Sequence, residues 1–298
     1  VLESEIDIAT QEIRMQKEIV ESAHKIAEQQ KLEVEEQKEI IEETHREIKD
    51  SINYAKRLQD AILPSKNLIN KYFSENFIYS NPKDIVSGDF YWFNSIKDKN
   101  DNLKTTNYIA AADCTGHGVP GALVSIVCSN SLDRAVKEFG LRQPSEILNK
   151  TRKLVIETFA KNGENVKDGM DIALCAFEGN SVTYAGANNP LWIVRKVELL
   201  TNEQKLNKST FIIGELALIE IKGDKQPIGL YEGMTPFTQH EIEIYKDDFL
   251  YFFTDGFADQ FGGDKGKKLK YKPFKELLIE FNNESADDIN IKLDNFFG

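Results

Sequence analysis

The chain holds 298 residues, with 37 Lys and Arg against 49 Asp and Glu for a formal net charge of −12. That length accommodates one large domain with an extension, or two modest domains, and no basic patch is concentrated enough for nucleic acid or an anionic membrane to be the main partner. Cys114, Cys128 and Cys175 stand singly, without metal-ligand or disulfide spacing, and no apolar run approaches the roughly 20 residues of a bilayer span, so a cytoplasmic catalytic region is expected.

Residues 2–63 contain no Gly and no Pro and are rich in Glu, Lys, Gln, Ile and Ala, which predicts one long helix. Residues 1–65 carry 9 Lys and Arg against 16 Asp and Glu, a net of −7. A seven-residue spacing connects Ile6, Ile13, Val20, Ala27, Val34, Ile41, Ile48, Ala55 and Ile62, the repeat of a left-handed coiled coil. The companion stripe, which includes Gln16, Gln30, Gln37, Thr44 and Ser51, is polar. A marginal coiled coil in a parallel homodimer is the expectation, serving either as a passive spacer or as a signalling rod with two packings of similar energy. His45 reads as a solvated helix-face residue rather than a phospho-acceptor. Because Val1 already lies inside the helical pattern, an upstream sensor is expected, and a membrane anchor there is compatible with the sequence.

The pattern changes after Leu63-Pro64-Ser65, dividing the chain into a helical linker (1–63) and a catalytic domain (64–298). Strands are predicted at 77–79, 90–93, 108–112, 172–177, 181–185, 191–194, 212–221, 241–245 and 249–254. Helical spacing covers 121–139, 144–159, 273–281 and 286–297, and the polar stretch 198–209 reads as an exposed hairpin or insertion. Strands, two helices, more strands and then helices again predict an α+β layered domain rather than alternating βαβ units.

Three aspartates occur where apolar strands meet Gly-containing turns: Ser87-Gly88-Asp89-Phe90, Ala112-Asp113-Cys114-Thr115-Gly116-His117-Gly118, and Phe253-Thr254-Asp255-Gly256. Such placement puts carboxylates at a sheet rim, where Gly lets backbone carbonyls approach an ion. Hard divalent ions, Mn²⁺ or Mg²⁺, prefer oxygen ligands, and a pair of them activates water for attack on a phosphate ester. Any one of these motifs alone is more often a plain turn than a ligand; their joint order carries the metal reading.

The same residues resemble the SpoIIE/RsbU-type serine phosphatases of the metal-dependent PPM superfamily, with an N-terminal coiled-coil linker. The resemblance runs from about Asp50 to Gly298. It is carried by Asp50 to Gln59, Ala61-Ile62-Leu63-Pro64, Ser87-Gly88-Asp89-Phe90-Tyr91, Asp113 to Gly118, Asp168-Gly169-Met170-Asp171, Tyr184 to Trp192, Pro227-Ile228-Gly229 and Thr254-Asp255-Gly256. It implies an αββα sandwich: two mostly antiparallel β-sheets flanked by helices. It further implies two metal ions, with Asp113 bridging both, Asp89 and the Cys114 backbone carbonyl contributing, Asp255 on the second ion, and Asp259 at an additional one. His117 is a candidate proton donor to the leaving serine oxygen or a loop-structuring residue. Asp168 and Asp171 line the cleft or cap a turn, and Asn188 and Asn189 read as turn formers.

The resemblance also leads to an expected terminal Asp pair in a final strand. Asp287-Asp288-Ile289 looks like that pair, but Ser285 as a cap and the spacing of Ile289, Leu293 and Phe296 predict a helix there. The expectation is that the final strand and one metal-binding Asp lie outside this sequence and that the chain binds its second metal poorly. The alternation Ile289, Ile291, Leu293 keeps a strand as the alternative. The implied function is hydrolysis of phosphoserine or phosphothreonine on a bacterial signalling phosphoprotein, such as an anti-sigma-factor antagonist, controlled through the dimeric linker. The competing functions are a catalytically weak partner-binding module and a nucleotide cyclase, whose signature Phe261-Gly262-Gly263-Asp264-Lys265 only approaches.

Overall fold

The computed structural model describes residues 2–97, 104–160, 167–262 and 267–296. It forms two compact units, Val1–Tyr54 and Ala55–Gly298. The first is helical from Leu2 onward, as part of α1 (Leu2–Ile62), and its stripe residues Ile6, Ile13, Val20, Val34, Ile41 and Ile48 are all exposed, as is His45. Among the described residues no helix is long and apolar enough to cross a membrane.

The second unit begins with the last turns of α1 and a short α2 (Lys66–Asn70), which Ser65 caps by accepting from the Leu68 N–H. One sheet has the order β1-β2-β3-β4-β8, from β1 (Phe90–Lys97), β2 (Thr105–Cys114), β3 (Met170–Glu178), β4 (Ser181–Ala187) and β8 (His240–Glu243). The other has the order β6-β7-β5-β9, from β6 (Thr210–Ile213), β7 (Leu216–Ile221), β5 (Leu191–Lys196) and β9 (Phe249–Tyr251). Every strand pair within these two sheets is antiparallel.

Side-chain alternation sets the layers. Along β3, Ile172, Leu174 and Ala176 pack with α3 (Gly118–Lys137) and α4 (Pro144–Phe159), while Ala173 and Cys175 face β5 residues Leu191 and Ile193. The opposite face of β5, Trp192 and Val194, packs on Phe274 and Leu278 of α7 (Tyr271–Glu280). The result is an αββα sandwich. Each large apolar side chain buried in it stabilises by about 1.5–3 kcal/mol.

The C-terminal helix prediction agrees with α8 (Ala286–Asn295), where the Ser285 hydroxyl accepts from the Asp288 N–H at 3.2 Å. Ile289 and Leu293 are buried while Ile291 is exposed, the pattern of a helix rather than a strand. Three strand expectations need correction. Residues 77–79 form no ladder; Phe77 and Tyr79 instead pack edge-on against Tyr251 and Phe257. Residues 212–221 do not make one strand: Gly214, at φ +58°, turns the chain between β6 and β7. The stretch 198–209 is not a hairpin but a 3₁₀ turn followed by α5 (Asn202–Leu206), closed by a Thr201–Gln204 capping box. Gly263, Asp264 and Lys265 of the cyclase-like motif lie outside the described residues, as do Phe297 and Gly298.

Candidate active site

The inter-sheet face of the first sheet ends in carboxylates. On β2 the positions Ile109, Ala111 and Asp113 share one face, and Asp113 is paired in register with Asp171 of β3. Asp89 stands one residue before β1, where the β1–β2 ladder closes with Phe90 opposite Ala112. Asp255 comes from the other sheet, just beyond β9, at the entry to α6 (Gly256–Asp259), and its side chain makes no capping bond there. Two sheet ends thus bring four aspartates from distant sequence positions together.

Their mutual influence is visible in their electrostatics. Burial, then the charge and hydrogen bond of Asp89, then Asp255 and Asp171, push the Asp113 carboxyl up to about 8. Asp255 is raised by burial and by Asp259 and Asp89, and Asp171 is raised by burial against the opposing hydrogen bond from Asn188. Among the described residues, no three acidic, His or Cys side chains meet closely enough to hold an ion in their present rotamers. The carboxylates act on one another through their charges, and Asp89 accepts from the Thr254 hydroxyl at 2.8 Å. An oxygen-only donor set whose crowded charge raises the carboxyls of Asp113, Asp171 and Asp255 fits a hard divalent cation, which would offset that charge.

The other predicted residues are distributed around this cluster. The Cys114 carbonyl lies against Gly88, 3.0 Å from where a Cβ would stand. The Cys114 thiol is buried and held well above its ordinary range by Cys128 and by burial, so it stays protonated. His117 points outward, with Nδ1 3.1 Å from Asp84 Oδ2, and its side chain is 89% exposed. Asp259 forms an ion pair with Lys268 at 2.7 Å. Asp168 sits in the segment leading into β3. Asn188 adopts a left-handed φ of +57°, consistent with a turn former, and its Nδ2 donates to Asp171 Oδ1 at 2.8 Å. A cleft of about 160 Å³ opens beside Asp113 and Asp171, and the exposed Lys167 lines it.

The sequence signature of the SpoIIE family, described as Stage II sporulation protein E, matches residues 104–293, well over half of the chain. The chain belongs to the SpoIIE family. Among curated proteins no sequence match was found. Its fold is similar to the SiaA-PP2C domain of Pseudomonas aeruginosa, at 26% identity and a TM-score of 0.68, over 85% of this chain and 90% of that one. It is also similar to the PP2C phosphatase domain with a regulatory fragment of SpoIIE from Bacillus subtilis, at 14% identity and a TM-score of 0.47, over 70% of this chain and 52% of that one. A third similar structure contains the RsbU and RsbW domains of a Mycobacterium tuberculosis protein, at 16% identity and a TM-score of 0.48, over 74% of this chain and 54% of that one.

SpoIIE-family membership makes the chain one of the PP2C-like, metal-dependent serine/threonine phosphatases. In this SpoIIE-family domain the sequence motifs mark the aspartates but not their supports: Thr254 on Asp89, Asn188 on Asp171, and Asp84 on His117. Thr254 adjoins Asp255 and was legible only as part of that motif.

Gly88 is a sharp requirement of the same site. A Cβ there would stand 2.7 Å from the Gly116 carbonyl oxygen and 3.0 Å from that of Cys114. Both obstacles are backbone, so Gly88→Ala must displace either Asp89 or the Gly116 and Cys114 carbonyls. A shift of about 1 Å at a reacting centre costs on the order of 100-fold. Gly88→Ala is therefore expected to lose that much turnover while its circular dichroism spectrum stays that of the folded parent.

Proposed function

We propose that the chain removes phosphate from phosphoserine or phosphothreonine on a signalling partner, with Asp89, Asp113, Asp255 and the Cys114 carbonyl holding two Mn²⁺ or Mg²⁺ ions and Asp259 an additional one. The observation that carries this reading is the convergence of Asp89, Asp113, Asp171 and Asp255 at one end of the sandwich, with Asp113 at its electrostatic centre. When bound, divalent cations supply Lewis acidity that activates water and offsets the charge of the phosphate.

The protein side chains do the rest. Thr254 orients Asp89 and Asn188 orients Asp171, so each carboxylate keeps one lobe directed by a neutral donor. Lys167 offers a flexible cation to the phosphate oxygens at the cleft mouth. His117, oriented by Asp84, is the candidate donor of a proton to the departing serine oxygen. At about 160 Å³ the cleft is smaller than the usual small-molecule pocket and suits a phosphorylated side chain presented by a larger partner. An anti-sigma-factor antagonist is the partner type that the family resemblance implies.

Mn²⁺-dependent hydrolysis of p-nitrophenyl phosphate and of a phosphoseryl peptide, lost in Asp113→Asn, is the test. Retained partner capture with no turnover in saturating Mn²⁺ would favour the binding-module alternative instead.

The exposed Ile and Val stripe of α1 supports a parallel homodimer, because a seven-residue apolar repeat is covered most readily by a second identical helix. Val20→Glu, Val34→Glu and Ile41→Glu combined are expected to turn the full chain from dimer to monomer in sedimentation equilibrium. A triple variant of unchanged mass would remove the dimer reading.

A further inference from the structure

Glutamine is ordinarily a surface residue, yet Gln59, on the last turns of α1, is only 2% exposed. A buried carboxamide is tolerated when its donors and acceptor are all satisfied. Here Nε2 donates to the Ser87 carbonyl at 2.6 Å and to Ser125 Oγ of α3 at 3.1 Å, while Oε1 accepts from the Ser87 N–H at 3.1 Å. The side chain therefore pairs with both main-chain groups of Ser87, much as a neighbouring strand would. The β1–β2 ladder starts only at Phe90, so this pairing extends ordered hydrogen bonding upstream of it.

The connection to the carboxylate cluster is short. Ser87 Oγ accepts from the Asp89 N–H at 3.0 Å, and Gly88 between them is packed against the Gly116 and Cys114 carbonyls. With Ser87 held by Gln59 and Gly88 held by the Asp113–Gly118 loop, the main chain at Asp89 has little freedom left. The Asp89 side chain is then set by Thr254.

We propose that Gln59 is a positioning residue for the metal centre: by clamping the Ser87 main chain it sets where the Asp89 carboxylate points, and so couples Asp89 to the rotation of residues 55–62 of α1. The proposal rests on the reading of Asp89 as a metal ligand. A turn of α1 by a single residue, about 100°, would carry the carboxamide off Ser87 altogether. The apolar stripe of α1 does not itself need to touch the carboxylates; one polar side chain suffices.

The test uses the full chain and three variants: Gln59→Leu, Ser125→Ala and Asp113→Asn. Mn²⁺ affinity is read by calorimetry, and exchange of the Ser87 and Asp89 amide hydrogens by NMR on the metal-free protein. Gln59→Leu is expected to bind Mn²⁺ about tenfold more weakly, the scale of a lost hydrogen bond to the site's support, with both amides exchanging faster. Ser125→Ala removes only the tie to α3 and is expected to stay within about twofold of the parent. Unchanged affinity and unchanged exchange in Gln59→Leu overturn the proposal. So does an equal loss in Ser125→Ala, which would make Gln59 a packing contact between helices. Asp113→Asn separates this from the metal reading: if it binds Mn²⁺ as the parent does, the metal reading fails and Asp89 exchange in Gln59→Leu alone decides. Should Gln59→Leu not fold, Gln59→Glu, which keeps the acceptor for Ser87 N–H and loses the donor, takes its place in the same comparison.

Discussion

Asp113→Asn is expected to lower Mn²⁺-dependent turnover by at least about 10³-fold while raising the melting temperature of the metal-free protein. The two effects have one cause. Asp113 is the carboxylate on which burial and the charges of Asp89, Asp255 and Asp171 all act, raising its carboxyl to about 8. A group whose folded-state value lies above its unfolded one favours the fold when protonated and opposes it progressively as pH rises toward the folded value. In the metal-free protein at neutral pH, Asp113 therefore holds a proton that the unfolded chain has already released, and this costs the fold stability. Asparagine keeps the shape and needs no proton, so it removes that cost, and it also removes the carboxylate proposed above to hold both cations. Melting curves with and without Mn²⁺ check this directly: the parent should gain stability from the ion, and Asp113→Asn should gain little. A parent that gains nothing from Mn²⁺ would contradict the account of the cluster.

Asp248→Ala is expected to destabilise the domain by about 3–5 kcal/mol, because it leaves a buried guanidinium without its counter-charge. Arg195 of β5 and Asp248, in the turn between β8 and β9, have side chains only 4% and 2% exposed. Nε donates to Oδ1 at 3.0 Å and Nη2 to Oδ2 at 2.6 Å, a two-point pairing. Nη2 also donates to the Glu243 carbonyl at 2.8 Å, and the Tyr245 N–H donates to Asp248 Oδ2 at 2.8 Å, so the pair organises the whole turn. That turn delivers β9, and β9 leads to Thr254 and Asp255. The denaturant midpoint should fall sharply in Asp248→Ala and less in Asp248→Asn, which keeps one acceptor for the guanidinium. Equal, small shifts in both variants would mean that the buried pair contributes little.

Much of the architecture was legible as periodicity. The apolar run 172–177 predicts β3, helical spacing predicts α3, α4 and α7, and Ser285 with Ile289 and Leu293 predicts α8 over a strand. These are local properties, settled within one or two turns of chain. The failures were local signals outweighed by packing. Phe77-Ile78-Tyr79 has strand composition, but its aromatic rings are drawn onto Tyr251 and Phe257, and its backbone finds no ladder. Residues 212–221 carry one apolar run, and a single left-handed Gly214 folds it into two strands.

The three aspartates named by the sequence, Asp89, Asp113 and Asp255, were identifiable because an Asp where an apolar strand meets a Gly-containing turn is written contiguously. What holds them is not contiguous. Gln59 reaches Ser87 across 28 positions and Thr254 reaches Asp89 across 165. A hydrogen bond between such distant residues depends on the register of strands and the rotation of a helix, neither of which leaves a periodic trace in the chain. The sequence by itself determined which carboxylates stand at the sheet rims and most, though not all, of the helices and strands. Only the tertiary structure decided that Asp113 is their electrostatic centre and that a glutamine on α1 supports Asp89, because both follow from packing two sheets and three segments of chain against one another.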